Sequence, residues 1–123
     1  MLEKYSTNVA VGAESFIPFN NVTIQKGCTA ISSSPETIQL NKCGVYMVSC
    51  DASAGTSTTV QLYKDGVAQP QAQSTGTAIS FNTLVQVPTN NSCKCCDAPV
   101  TLQVWNETAG TFVNANVCVT KIC

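Results

Sequence analysis

The stretch GVYMVSCDASAGTSTTVQLYKDGVAQ, beginning at Gly44, carries alternating apolar positions up to an Asp-Gly dipeptide and resumes beyond it. Asp65-Gly66 supplies the positive φ that a tight two-residue hairpin turn demands, while Val60, Leu62 and Val67 give the flanking runs their apolar positions. No helix-period pattern competes with it. The chain is therefore expected to be an antiparallel all-β protein.

Within the first run, Tyr46, Val48, Cys50 and Ala52 share one face, and Val45, Met47, Ser49 and Asp51 share the other. Both faces begin apolar, so water is expected to be excluded from both, by an opposing sheet on one side and a neighbouring subunit on the other. Met47 and Ser49 are the candidates for that intersubunit contact. Val100, Leu102 and Val104 alternate with Thr101, Gln103 and Trp105, the signature of a half-buried strand. In the closing run TFVNANVCVTKIC, Val113, Ala115, Val117 and Val119 are expected to face the core. Phe112, Asn114, Asn116, Cys118 and Thr120 fall on the other face, where Asn114 and Asn116 would suit a polar seam between subunits.

Residues 1–14 mix Glu3, Lys4, Ser6, Thr7, Asn8 and Gly12 with scattered apolar residues, and read as an arm ahead of a domain spanning 15–123. Leu2, Tyr5, Val9 and Val11 would be its docking residues. Strands are expected from Ser15, where SFIPFNNVTI carries Pro18 as an edge strand does. Turns are expected at Ser32 to Pro35 and at Asn41 to Gly44. The polar run QPQAQSTG from Gln69 reads as a surface loop, followed by a strand from Thr77 to Pro88. Roughly eight to ten short strands without a helix point to a two-sheet antiparallel sandwich of jelly-roll type, with a closed barrel as the alternative.

A chain of 123 residues is one domain, able to bury about two thirds of its unfolded surface around one core. Only 11% of it is charged, against roughly 25% in ordinary soluble domains, so its surface is neutral and hydroxyl-rich and repels copies of itself weakly. There is no Arg and no His, and the six Lys are dispersed, which argues against nucleic-acid binding. No apolar run is long enough to cross a bilayer as a helix, and the N-terminus lacks the apolar core of a secretory signal. With Met at position 1, a product made in the cytosol that reaches an exterior by assembly or lysis is expected.

Eight cysteines, Cys28, Cys43, Cys50, Cys93, Cys95, Cys96, Cys118 and Cys123, are disulfide candidates. Reduced buried thiols and metal binding by the CKCC cluster at 93–96 are the alternatives, although paired C-x-x-C spacing is absent and no metal or cofactor is expected. Catalysis is not expected either. A cysteine nucleophile wants a neighbouring His, and none exists; the seven carboxylates show no paired spacing, and no loop gathers enough of them for calcium. Three Asn-x-Ser/Thr sequons, at Asn21, Asn90 and Asn106, are what chance gives a chain rich in Asn and Thr.

The order of these pieces resembles the globular heads of the complement-q and tumour-necrosis-factor superfamily, including related domains of spore-surface and phage proteins. Gly44-Val45-Tyr46 resembles the family's G-x-Y strand, Leu62-Tyr63-Lys64-Asp65-Gly66 resembles its hairpin, and Thr83 to Val87 and the C-terminal strand sit where further family strands would. The Gly-Asp dipeptide that many members carry near Ala98 is missing, and no collagen-like stalk precedes the domain. The resemblance, over residues 15–122, implies a TNF-like jelly roll assembled as a homotrimer around a three-fold axis. The expected role is a structural virion protein, a trimeric capsid decoration or head-fibre protein of a bacteriophage. It would sit on the virion surface with the major capsid protein or another virion protein as partner and residues 1–14 as docking arm. The alternative is a trimeric head, adhesin-like or cytokine-like, reading a receptor or host-surface glycan through the loop from Gln69 to Gly76, with Trp105 as an anchor.

Overall fold

A computed structural model describes residues 1–27, 29–88 and 99–122, and among them it is built from strands alone. These are β1 (Leu2–Val11), β2 (Ser15–Phe16), β3 (Asn21–Gln25), β4 (Ala30–Ser34), β5 (Thr37–Leu40), β6 (Gly44–Lys64), β7 (Val67–Val87), β8 (Val100–Asn106) and β9 (Gly110–Lys121). All pairings are antiparallel.

The two longest strands explain the architecture. The first half of β6 pairs with β9 as far as Ala54, and its second half pairs with β8 from Val60 onward, with β7 alongside for most of its length. β6 and β7 therefore pass from one layer to the other. One sheet runs β3-β1-β9-β6-β7 and the other β4-β5-β8-β6-β7, the two faces of a jelly-roll sandwich. The register slips between Ser53 and Thr58, where β6 carries the extra residues that let it turn the corner.

Period-two patterning then fills the space between the sheets. Tyr46, Val48, Cys50, Val60 and Leu62 of β6 are buried, as are Leu102 and Val104 of β8 and Ala115, Val117 and Val119 of β9. Each large aliphatic removed from water here contributes about 1.5–3 kcal/mol. The hairpin between β6 and β7 turns at Asp65 (φ 51°) and Gly66 (φ 78°), the paired positive values of the expected turn. The Asp65 carboxylate also accepts a hydrogen bond from the Thr101 N–H at 2.8 Å, tying the turn to β8.

Four expectations change. The arm over 1–14 is instead β1, a strand held between β3 and β9, and Leu2 and Val11 are core residues with Val9 packed against them. The loop from Gln69 to Gly76 lies within β7, laddered to Thr58 through Gln61 by its second half. In β9 the faces of Phe112 and Val113 are exchanged: Phe112 is buried and Val113 exposed. The cause is an extra residue in β9, since Ser53 pairs with Asn114 but Ala54 with Phe112. Asn8, at φ 50°, sits on the neighbouring strand at the same level. The turn expected at Ser32 to Pro35 falls at Pro35–Glu36, just beyond β4.

Asn106 closes the far corner. Wholly buried, it accepts from the Thr58 hydroxyl (2.7 Å) and donates to the carbonyls of Gly12 (3.1 Å) and Thr108 (2.8 Å). Its amide nitrogen is thus committed, which closes that sequon in the folded chain. Asn106→Ala leaves the buried Thr58 hydroxyl without its acceptor and frees the Gly12 and Thr108 carbonyls, and should cost about 2–3 kcal/mol, read as a lower urea midpoint with unchanged slope.

Candidate functional site

Register places the four expected subunit-contact residues on one surface. Met47 lies opposite Thr120, Ser49 opposite Cys118, Asp51 opposite Asn116 and Ser53 opposite Asn114, so Met47, Ser49, Asn114 and Asn116 all point outward from the β6–β9 sheet. Leu84 of β7 lies beside Met47, and the Ile122 N–H continues the ladder to the Val45 carbonyl at 2.8 Å. Met47, Leu84 and Ile122 are 44%, 55% and 48% exposed, an open apolar surface in the single chain. Below them the face is amide and hydroxyl: Asn82, Ser49, Ser80 and Asn116. Among the described residues Glu3 and Asp51 are its carboxylates, and Glu3 already accepts a hydrogen bond from Thr23 Oγ1 at 2.7 Å. Tyr5 sits on this same face, half-buried beside Asn116, whereas Leu2, Val9 and Val11 face or pack on the core.

The outer face of the other sheet has a different chemistry. Phe16 lies opposite Trp105, and Trp105 opposite Gln61, while Tyr63 lies opposite Gln103. The Tyr63 ring meets Phe16 edge-on at 5.6 Å and Trp105 at 5.8 Å with 31° between planes. All three rings are half-buried, so part of each faces solvent.

The cysteines divide by face. Cys50 is buried between the sheets, where burial first and the Asp51 charge second push its thiol up to about 12, which makes it a poor nucleophile. Cys118 is half-buried on the outward face of the same sheet, opposite Ser49. Both are free thiols, and facing opposite ways they cannot bond to each other, so the disulfide expectation fails for them. Cys43 is half-buried ahead of β6. Cys28, Cys93, Cys95, Cys96 and Cys123, and with them the CKCC cluster, lie outside the described residues. Among the described residues no group of three Cys, Asp or Glu is placed to hold a metal ion.

The least expected polar group is Lys4. Its side chain is completely buried, pointing inward from β1, and Nζ donates toward Ser32 Oγ (3.1 Å) and the carbonyls of Ser34 (2.9 Å), Pro35 (3.1 Å) and Thr37 (3.2 Å). The ammonium also stands 5.8 Å from the Phe19 ring centre. It joins one sheet to the β4–β5 turn of the other. Burial pushes its pKa down to about 8. In the unfolded chain the amine stays charged to about 10.4, so between these values folding releases a proton and stability rises with pH. Against a Lys4→Met variant, the wild type should gain stability from about pH 8 to about pH 10, measured by urea unfolding at stepped pH.

No protein-family model matches the chain, and no curated protein matches it. Solved structures do. The globular domain of zebrafish complement 1qA superposes with a TM-score of 0.74 at 9% identity, covering 99% of this chain and 96% of that one. Rabbit GITRL gives 0.60 at 11% identity over 100% and 95%, and murine APRIL 0.60 at 9% over 98% of each. The chain has the jelly-roll fold of the complement-q and TNF superfamily.

Of the surfaces found here, sequence reasoning named Met47, Ser49, Asn114, Asn116 and Trp105. It missed Leu84 and Ile122 on the first face and Phe16 and Tyr63 on the second. Leu84 carried a signal: it is an apolar residue in the polar phase of a strand whose Ile79, Phe81, Val85 and Val87 face inward.

Proposed function

We propose that the chain is a non-enzymatic head that closes with two further copies through the outward face of the β6–β9 sheet. The observation that carries this is the open apolar surface of Met47, Leu84 and Ile122 at one end of the outward face of that sheet, next to its amides and hydroxyls. An apolar patch rimmed by amides and hydroxyls is the usual character of a self-association surface. The likeness to the complement 1qA head, GITRL and APRIL supports a fold in which that sheet is available for such packing.

The trimer is further proposed to be displayed on a virion exterior, as a capsid decoration or head-fibre protein of a bacteriophage. A small head with only 11% charged residues suits close packing on a protein lattice. With Leu2 and Val11 in the core, contact with the major capsid protein falls to loops and to the outer sheet. In a density gradient of intact particles the protein should band with the capsid at a ratio set by capsid symmetry. Recovery wholly in the soluble fraction, from particles that remain intact, contradicts this placement.

A second reading, a head that recognises a receptor or glycan, is favoured by the ring cluster of Phe16, Tyr63 and Trp105. It differs from the first in predicting saturable binding by the free trimer.

A further inference from the structure

We infer that the outer face of the β8 sheet is a binding platform for neutral carbohydrate, centred on Tyr63 and Trp105. This deepens the receptor-or-glycan reading and rests on it, but not on three-fold assembly, because the platform lies on the opposite side of the sandwich from the Met47 face.

Three features converge there. First, the rings form a connected set: Trp105 and Tyr63 lie 5.8 Å apart with 31° between planes, while Phe16 braces Tyr63 edge-on at 80°. Buttressed rings of this kind lose little freedom when a ligand lands on them. Second, the rings are interleaved with side-chain amides on the same face. Gln61 stands opposite Trp105, Gln103 opposite Tyr63, and Thr37 lies within reach of Gln103 Nε2 at 3.5 Å. Gln61 Nε2 is fixed by the Gln69 carbonyl at 3.1 Å, and among the described residues neither Gln61 Oε1 nor Gln103 Oε1 accepts a hydrogen bond. Third, none of these six side chains is charged.

That combination selects a ligand class. A pyranose presents a C–H-rich face, which sits on an aromatic ring, and a rim of hydroxyls, which needs paired donors and acceptors such as carboxamides. An anionic sugar or a phosphate would want a guanidinium or a local group of ammonium charges. An apolar peptide would cover Gln61 Oε1 and Gln103 Oε1 without pairing them. A neutral glycan uses both the rings and the amides.

Trp105 is the chain's one tryptophan, so its emission reports directly on this surface. Titration of the whole protein with soluble neutral oligosaccharides built on glucose, mannose, galactose or N-acetylglucosamine should shift or quench that emission saturably for at least one series. A matching heat should appear in calorimetry, in the millimolar range expected of a shallow platform. Trp105→Ala should weaken binding by about tenfold or more in calorimetry. Trp105→Tyr should retain it, and Gln103→Ala should lower affinity with emission and circular dichroism of the free protein unchanged. Oligomer mass measured on each variant separates loss of the platform from loss of assembly. The inference is overturned if no neutral series produces a signal at about 10 mM, well above that range. It is equally overturned if only sulfated or sialylated glycans bind, if the face proves to be occupied by a protein partner, or if binding survives in folded Trp105→Ala and Tyr63→Ser alike.

Discussion

Met47→Asp is expected to convert the assembled protein to single chains. The side chain is 44% exposed in the isolated fold and points away from the core, so the substitution meets no clash and should leave circular dichroism unchanged. In the proposed trimer the same position is covered, and three carboxylates would lose water; among the described residues the outward neighbours of Met47, which are Val45, Ser49, Leu84, Gln86, Cys118 and Thr120, include no cation to pair them. An unpaired buried charge costs several kcal/mol, and the interface would carry three, enough to overcome a contact of ordinary affinity. Sedimentation should then report the 12.9 kDa chain. Val67→Asp is the control: Val67 is 62% exposed but sits beside the Asp65-Gly66 turn, and its replacement should leave assembly intact.

Lys4→Ala is expected to be the most destabilising single substitution near the N-terminus. Two opposing effects must be weighed. Removing the ammonium relieves the desolvation that pushes its pKa down to about 8. Against that, the stem is wholly buried, and losing its methylenes at about 0.8 kcal/mol each opens a cavity between the sheets. Ser32 Oγ and the carbonyls of Ser34, Pro35 and Thr37 also lose a charge-assisted donor. The losses win, by about 3–5 kcal/mol, a large part of the 5–15 kcal/mol typical of a whole domain. Lys4→Met, which keeps most of the stem, should fall between Lys4→Ala and wild type. A thermal melt of the three proteins orders them, and a Lys4→Ala protein as stable as wild type contradicts the stapling role.

This residue also shows where the fold was hidden. The inward positions of β1 include Leu2, Lys4 and Ser6, of which two are polar, so the alternation that marks a half-buried strand was inverted. Only tertiary partners make those groups tolerable inside: Ser6 donates to the Pro18 carbonyl and accepts from the Asn20 N–H. The first half of β7 was hidden for a related reason. Among Gln69 to Gly76 only Ala72 is buried, and backbone pairing with β6 rather than side-chain pattern makes it a strand. By contrast the Asp65-Gly66 turn, the Tyr46 face and β8 were legible, because local geometry and burial there agree with residue type. Val113 was misplaced because one extra residue in β9 changes the phase of everything before it, and nothing in a period-two pattern announces a bulge.

Of the two surfaces, the Met47 face could be anticipated from apolar residues on both sides of one strand. The ring platform could not, since Phe16, Tyr63 and Trp105 come from β2, β6 and β8 and meet only once the strands are paired. Trp105 alone gave no reason to look for companions.

Sedimentation velocity of the wild-type protein at micromolar concentration tests the central claim most directly. Closure through the Met47 face predicts one species at three times the 12.9 kDa chain mass, insensitive to reducing agent. A single 12.9 kDa species that stays monodisperse as concentration rises would contradict it.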